Sequence, residues 1–170
     1  ADSERVIDLM EKFMEAGFAR ETALWMMNSA MVLQGEDDSF STLDFATIAL
    51  YSGHLELTKI GAAASFIKTR KGVYSVGETS LPAGVDLTQK VMPIQSVLEH
   101  GEFLVMVTDG VLEYLHVKNP EEKFCEIVED VFEENAGAFA KAVMERVLLF
   151  TGGHAKDDMT VLVTGIWEKT

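Results

Sequence analysis

The chain has 170 residues, with 14 Lys plus Arg against 28 Asp plus Glu and a formal net charge of −14. That length supports one domain with a sizeable core and no need of disulfides. So acidic a surface repels phosphate backbones and anionic lipid, which makes nucleic acid a poor partner. It suits divalent cations or a basic protein surface, or serves solubility alone. The single Cys125 excludes an internal disulfide and a cysteine-rich metal site, and fits a reducing compartment. The longest apolar runs, at 23–27 and 103–107, are five residues each, against about twenty for a membrane span. No basic stretch followed by an apolar one marks a signal peptide.

Residues 3–16 predict a helix, with Val6, Leu9, Met10, Phe13 and Met14 on one stripe, Ser3 as cap and Gly17 as stop. A helix so close to residue 1, with no leading strand, reads as a fragment of a longer protein. A second helix covers 20–33, its methionines serving as packing filler around Leu24, Met27 and Met31. Residues 34–39 form a polar, acidic loop. The period then becomes alternating, predicting strands at 41–50 and 54–60 joined at Ser52-Gly53. The small residues from Gly61 to Ser65 permit close backbone approach, though a simple turn has the same composition. A second hairpin joins 65–69 to 73–76 around Arg70-Lys71-Gly72. After a loop at 81–84, a strand over 91–98 carries Pro93, which places it at an edge or bulge. Residues 103–108 are apolar on both faces and predict a buried strand.

Asn119-Pro120-Glu121-Glu122 opens a helix whose buried stripe is Phe124, Ile127, Val128, Val131 and Phe132. Another helix covers 138–150, stopped by Thr151-Gly152-Gly153, and a last strand covers 161–167. Hairpins imply antiparallel sheet and flanking helix pairs imply layers. A receiver domain, which also carries an acidic pair and an aspartate, needs alternating strands and helices with the pair early. Here the pair is late and hairpins dominate.

Two acidic positions stand out. Asp109 leaves the buried strand and precedes Gly110, whereas Asp157 and Asp158 precede the last strand. If those strands are antiparallel neighbours, the acids share one sheet edge. Clustered carboxylates repel unless a cation lies between them, and oxygen ligands favour magnesium or manganese. An Asp-Gly turn and an acidic cap account for the same residues without a metal.

Five segments occur in series: Phe40-Ser41-Thr42-Leu43-Asp44, Lys59-Ile60-Gly61-Ala62-Ala63-Ala64-Ser65-Phe66-Ile67, Leu81-Pro82-Ala83-Gly84, Val107-Thr108-Asp109-Gly110-Val111 and Lys156-Asp157-Asp158-Met159-Thr160-Val161. Together they resemble the phosphatase domain of the stage II sporulation protein E family, in the PPM class of metal-dependent serine/threonine protein phosphatases. The resemblance implies an α+β fold, an α-β-β-α sandwich of two antiparallel sheets flanked by helix pairs. It implies a single phosphatase domain fragment over 1–170, with a regulatory helix pair at 1–34 and a sheet core with two helices at 40–170. It implies two Mn2+ or Mg2+ ions sharing an activated water, with Asp109 and Asp157 as metal ligands and Asp158, where relatives often have Asn, supporting them or substituting. Gly110 lets the backbone turn close to the ions, and Asp44 matches no metal ligand.

The implied substrate is a phosphorylated anti-anti-sigma factor, in sporulation or general stress signalling. The domain is expected in the cytoplasm, with a parent protein attached to the inner face of the cell membrane. The family's early Asp-Gly-Met-Gly-type motif is not in this sequence, so the chain is expected to be truncated at its N-terminus, to bind manganese poorly and to have little activity alone. The opening helices are expected to act as a switch, and their exposed apolar residues offer a surface for a homodimer. The alternative is a non-catalytic interaction module that keeps the fold. Of His54, His100, His116 and His154, the last is the best placed general acid, three residues before Asp157, although a solvated loop histidine reads the same. Cys125, beside Phe124 on its helix, is expected to pack rather than react.

Overall fold

A computed structural model describes residues 2–34, 41–77, 80–86, 92–153 and 158–167. Its elements run α1 (Asp2–Glu15), α2 (Arg20–Gln34), β1 (Leu43–Ile48), β2 (His54–Ile60), β3 (Ser65–Thr69), β4 (Gly72–Val76), β5 (Ile94–Val97), β6 (Phe103–Val107), α3 (Asp109–Tyr114), α4 (Pro120–Glu129), α5 (Ala136–Phe150) and β7 (Val161–Gly165). The strands form two sheets, ordered β1-β2-β5 and β4-β3-β6-β7. The registers of β2 with β5, β3 with β4, β3 with β6 and β6 with β7 are antiparallel. The α+β class with two antiparallel sheets and flanking helices is therefore as the sequence implied.

The chain divides into two compact units. The first comprises Ala1–Phe45, Thr58–Ala62 and Thr79–Pro93. In it Val6, Met10, Ala23, Leu24, Met27 and Met31 of the helix pair bury against Ile60 and Ala83. Methionine suits this irregular packing because its side chain is unbranched and polarizable. Met14 departs from the expected stripe and is exposed, and the cap expected at Ser3 lies outside the described side chains. Asn28 is buried and clasps the 80–86 loop: its amide donates to the Asp86 carbonyl at 2.8 Å and its oxygen accepts from the Gly84 N–H at 2.9 Å. The close approach expected near Gly61 is present. With φ at +63°, a Cβ there would sit 2.7 Å from the Pro82 Cα, a contact and a backbone conformation that only glycine accepts without strain.

The second unit comprises Ala46–Leu57, Ala63–Glu78 and Ile94–Thr170. Alternation along β3 and β6 serves two cores at once. Ile67, Leu104 and Met106 face Leu55, Leu57 and Leu98, while Phe66, Phe103, Val105 and Val107 face the helices through Phe124, Val128, Phe139 and Val143. A strand buried on both faces needs an unbroken apolar run, which is what residues 103–107 supply.

Several boundaries differ from the sequence reading. β1 ends at Ile48, because residues 49–53 make the turn, with the Ala49 N–H donating to the His54 carbonyl and Gly53 at φ +67°. β5 starts after Pro93, which keeps the residue without an N–H donor out of the ladder, and it lies at a sheet edge. α5 starts at Ala136, two residues early, where the Asn135 side chain accepts from the Ala138 N–H at 3.1 Å. The buried stripe expected on α4 holds for Phe124, Ile127, Val128 and Val131, but Phe132 is 86% exposed. α4 closes at Glu129, so its period lapses before Phe132. The segment after Asp109, read as a possible turn, is the helix α3.

Candidate metal centre

β6 and β7 are antiparallel neighbours, with Val107 opposite Val161. One residue further on, the Thr108 N–H donates to the Thr160 carbonyl at 3.2 Å. Asp109 leaves β6 and Asp158 approaches β7 at this same end, so the edge the sequence required exists for these two acids. Asp157 and His154 lie outside the described residues. Asp109 and Asp158 are exposed, and Asp109 Oδ1 accepts from the Gly110 N–H at 2.9 Å. Gly110 is buried in the first turn of α3.

The described donors at the edge are all oxygens. Such a set fits a hard divalent ion such as magnesium or manganese rather than zinc. Among the described residues no group of three or more His, Cys, Asp or Glu converges to hold a metal. Asp109 and Asp158 are the acids that the described residues bring to this edge.

The other sequence candidates lie elsewhere. His100 is in the turn before β6, at the far end of that strand from Asp109. An open cavity of about 500 Å3 lined by Arg70, Tyr74 and Glu102 is at that far end too. His54 Nε2 lies 3.8 Å from Glu56, and His116 sits at φ +49° after α3. Cys125 is half-buried on α4. Burial first, then the charges of Glu121, Glu129 and Glu122, push its thiol pKa up, which makes it a packing group and not a thiolate nucleophile. Asp44 pairs with Lys59 at 2.5 Å, a strand-face carboxylate with a structural partner. Burial lowers the Lys59 pKa, against the opposing hydrogen bond and charge of Asp44.

One residue of consequence escaped the sequence reading. Thr108 Oγ1 accepts from the Thr160 N–H at 2.9 Å and donates to the Asp158 carbonyl at 3.4 Å. Its signal was visible only as a threonine immediately before Asp109, a pattern that local rules assign to a helix cap.

The family model for Stage II sporulation protein E (SpoIIE) matches residues 2–166. The chain belongs to the SpoIIE family. The stage II sporulation protein E of Bacillus subtilis (strain 168) is 31% identical over 170 residues, which is 99% of this chain and 21% of that relative. The chain thus spans about a fifth of the length of that SpoIIE protein. Among solved structures, the PP2C phosphatase domain with a fragment of the regulatory domain of SpoIIE from Bacillus subtilis superposes with a TM-score of 0.86 at 31% identity, over 95% of this chain and 48% of that one. The manganese-presoaked phosphatase domain of the same SpoIIE gives 0.73 at 30%, over 97% of this chain and 74% of that one. The fold is that of the PP2C phosphatase domain of this family. No helix among the described residues is long and apolar enough to cross a membrane.

Proposed function

We propose that this chain forms part of a metal-dependent serine/threonine phosphoprotein phosphatase, with Asp109 and Asp157 as metal ligands and Asp158 supporting or replacing one of them. The observation that carries the reading is the β6–β7 pairing, which delivers Asp109 and Asp158 to one sheet edge. Membership of the SpoIIE family supports it from outside the geometry. Bound at such an edge, two manganese or magnesium ions supply an activated water and neutralise phosphoryl charge.

The protein's own part is placement. The buried strand β6 ends just before Asp109, which opens α3 with Gly110 buried in the helix's first turn. Asp109 and Asp158 are exposed rather than enclosed, which suits a phosphorylated side chain carried on a folded protein over a small metabolite. Within this reading the substrate is a phosphorylated anti-anti-sigma factor, and the protein acts in sporulation or stress signalling. The helix pair α1–α2 is a candidate regulatory element, on the residues 1–34 assigned to it above.

The test is release of phosphate from a phosphoserine protein by the parent protein, with and without manganese. Asp109→Asn removes a charged ligand and is expected to lower turnover by at least about a hundredfold. No release of phosphate even with manganese would leave a phosphatase fold that only binds its partner, and release unaffected by manganese or by Asp109→Asn would overturn the metal assignment.

A further inference from the structure

Resting on the metal-edge reading, we infer that Thr108 is a positioning residue, whose hydroxyl fixes the Asp158 segment beside Asp109. Thr108 stands where β6 becomes α3. A threonine at a helix start ordinarily turns its oxygen to cap the helix's own N–H groups, yet here there is no side-chain cap. Its carbonyl has been taken by the helix, accepting from the Val111 N–H at 3.0 Å. In an antiparallel ladder a carbonyl of β6 would answer the N–H of the opposite residue in β7. The side chain does so instead: Oγ1 accepts from the Thr160 N–H at 2.9 Å.

The hydroxyl hydrogen then goes to the Asp158 carbonyl at 3.4 Å, and the Thr108 N–H to the Thr160 carbonyl at 3.2 Å. Three bonds from one residue therefore bind 158–160 to the end of β6. The substitution of hydroxyl for carbonyl lets the chain break into a helix at Asp109 without releasing the neighbouring strand. Both carboxylate-bearing positions are registered through it, and neither the strand ladder nor the helix supplies that link by itself.

The experiment compares wild type, Thr108→Val and Thr108→Ser in the full chain by NMR. One arm reads amide exchange at Thr160 against Leu104 and Val105 in the core. The other titrates manganese chloride and reads paramagnetic broadening at Asp109 and Asp158. Valine keeps the shape and deletes the hydroxyl, leaving the exposed Thr160 N–H to water. Exchange there is expected to quicken about tenfold and manganese affinity to weaken about tenfold, with Leu104 and Val105 unchanged. Serine restores the hydroxyl and is expected to behave as wild type in both arms. Equal quickening at Leu104 and Val105 would make the effect a general loss of stability and overturn the inference. Unchanged exchange at Thr160, or unchanged manganese affinity in Thr108→Val, would overturn it too. If wild type shows no broadening at Asp109 and Asp158, the metal-edge reading itself fails and takes the positioning role with it.

Discussion

Asp44→Asn tests whether the first unit depends on a buried ion pair. Lys59 keeps 1% of its side-chain surface exposed and Asp44 keeps 17%, with Nζ and Oδ2 2.5 Å apart. Asparagine preserves the shape and removes the charge, leaving an ammonium in surroundings that already disfavour it. Breaking one side of a buried pair costs about 3–5 kcal/mol. The partial exposure of Asp44 points to the lower end, about 3 kcal/mol, or roughly 1–3 M in urea midpoint for a slope of about 1–3 kcal/mol per M. The sign of the pH dependence follows from Lys59. Its folded pKa lies below the ordinary 10.5, so the unfolded chain binds the proton more readily in the window below that value, and stability from this group rises with pH. Without Asp44 the two influences that raised the pKa are gone, the window widens downward and the deficit of Asp44→Asn shrinks from pH 6 toward pH 9.5. The assay is urea unfolding in a Trp167→Phe background. Trp25 on α2 is then the only tryptophan of the two, and reports the first unit. The double variant Asp44→Leu with Lys59→Met is expected to recover to within about 1 kcal/mol of wild type. A deficit under about 1 kcal/mol in Asp44→Asn, or one independent of pH, would refute the reasoning.

Two further substitutions test the second unit. Lys68 on β3 donates to the carbonyls of Val128 at 2.9 Å, Glu129 at 3.0 Å and Val131 at 2.5 Å, closing the C-terminal end of α4. Lys68→Met is expected to cost about 2 kcal/mol, lowering Tm by roughly 4–8 °C in calorimetry. Burial lowers the Lys68 pKa, so the advantage of wild type over this variant should grow from pH 7 toward 10.5; a shrinking advantage counts against the assignment. Tyr114 is 5% exposed, and its hydroxyl has no hydrogen-bond partner among the described residues. Tyr114→Phe should therefore raise stability, by about 1 kcal/mol, and a lower Tm would show that the hydroxyl is satisfied.

The parts of the fold legible in the sequence were those that local chemistry decides. The alternation over 54–60, the apolar run over 103–107 and the Pro120 helix start each became the expected element because each pattern has one good burial solution. The helix α3 was not legible. Six residues, Asp-Gly-Val-Leu-Glu-Tyr, are too few to show a period, and its formation depends on burying Val111, Leu112 and Tyr114 in a core built by distant elements. Phe132 was misplaced for a related reason. It continues the stripe of α4 on paper, but the helix closes at Glu129, where Lys68 comes in from sixty residues away in sequence. The exposed ring then lies 5.3 Å from that ammonium, a contact no local pattern encodes.

The candidate site follows the same division. Each acid could be named from its neighbours in the chain, yet the arrival of Asp109 and Asp158 at one sheet edge was conditional on β6 pairing with β7, a contact across some fifty residues. Thr108 shows why the condition was not enough by itself. The same residue must end a strand, begin a helix and keep hold of the neighbouring strand, and its backbone has one carbonyl for two of those tasks. A side-chain oxygen resolves the conflict. Only a residue with a hydroxyl on Cβ carries an acceptor and a donor close enough to the main chain to do so. The choice of threonine before Asp109 is thus a consequence of sheet topology, and the position of the acid depends on it.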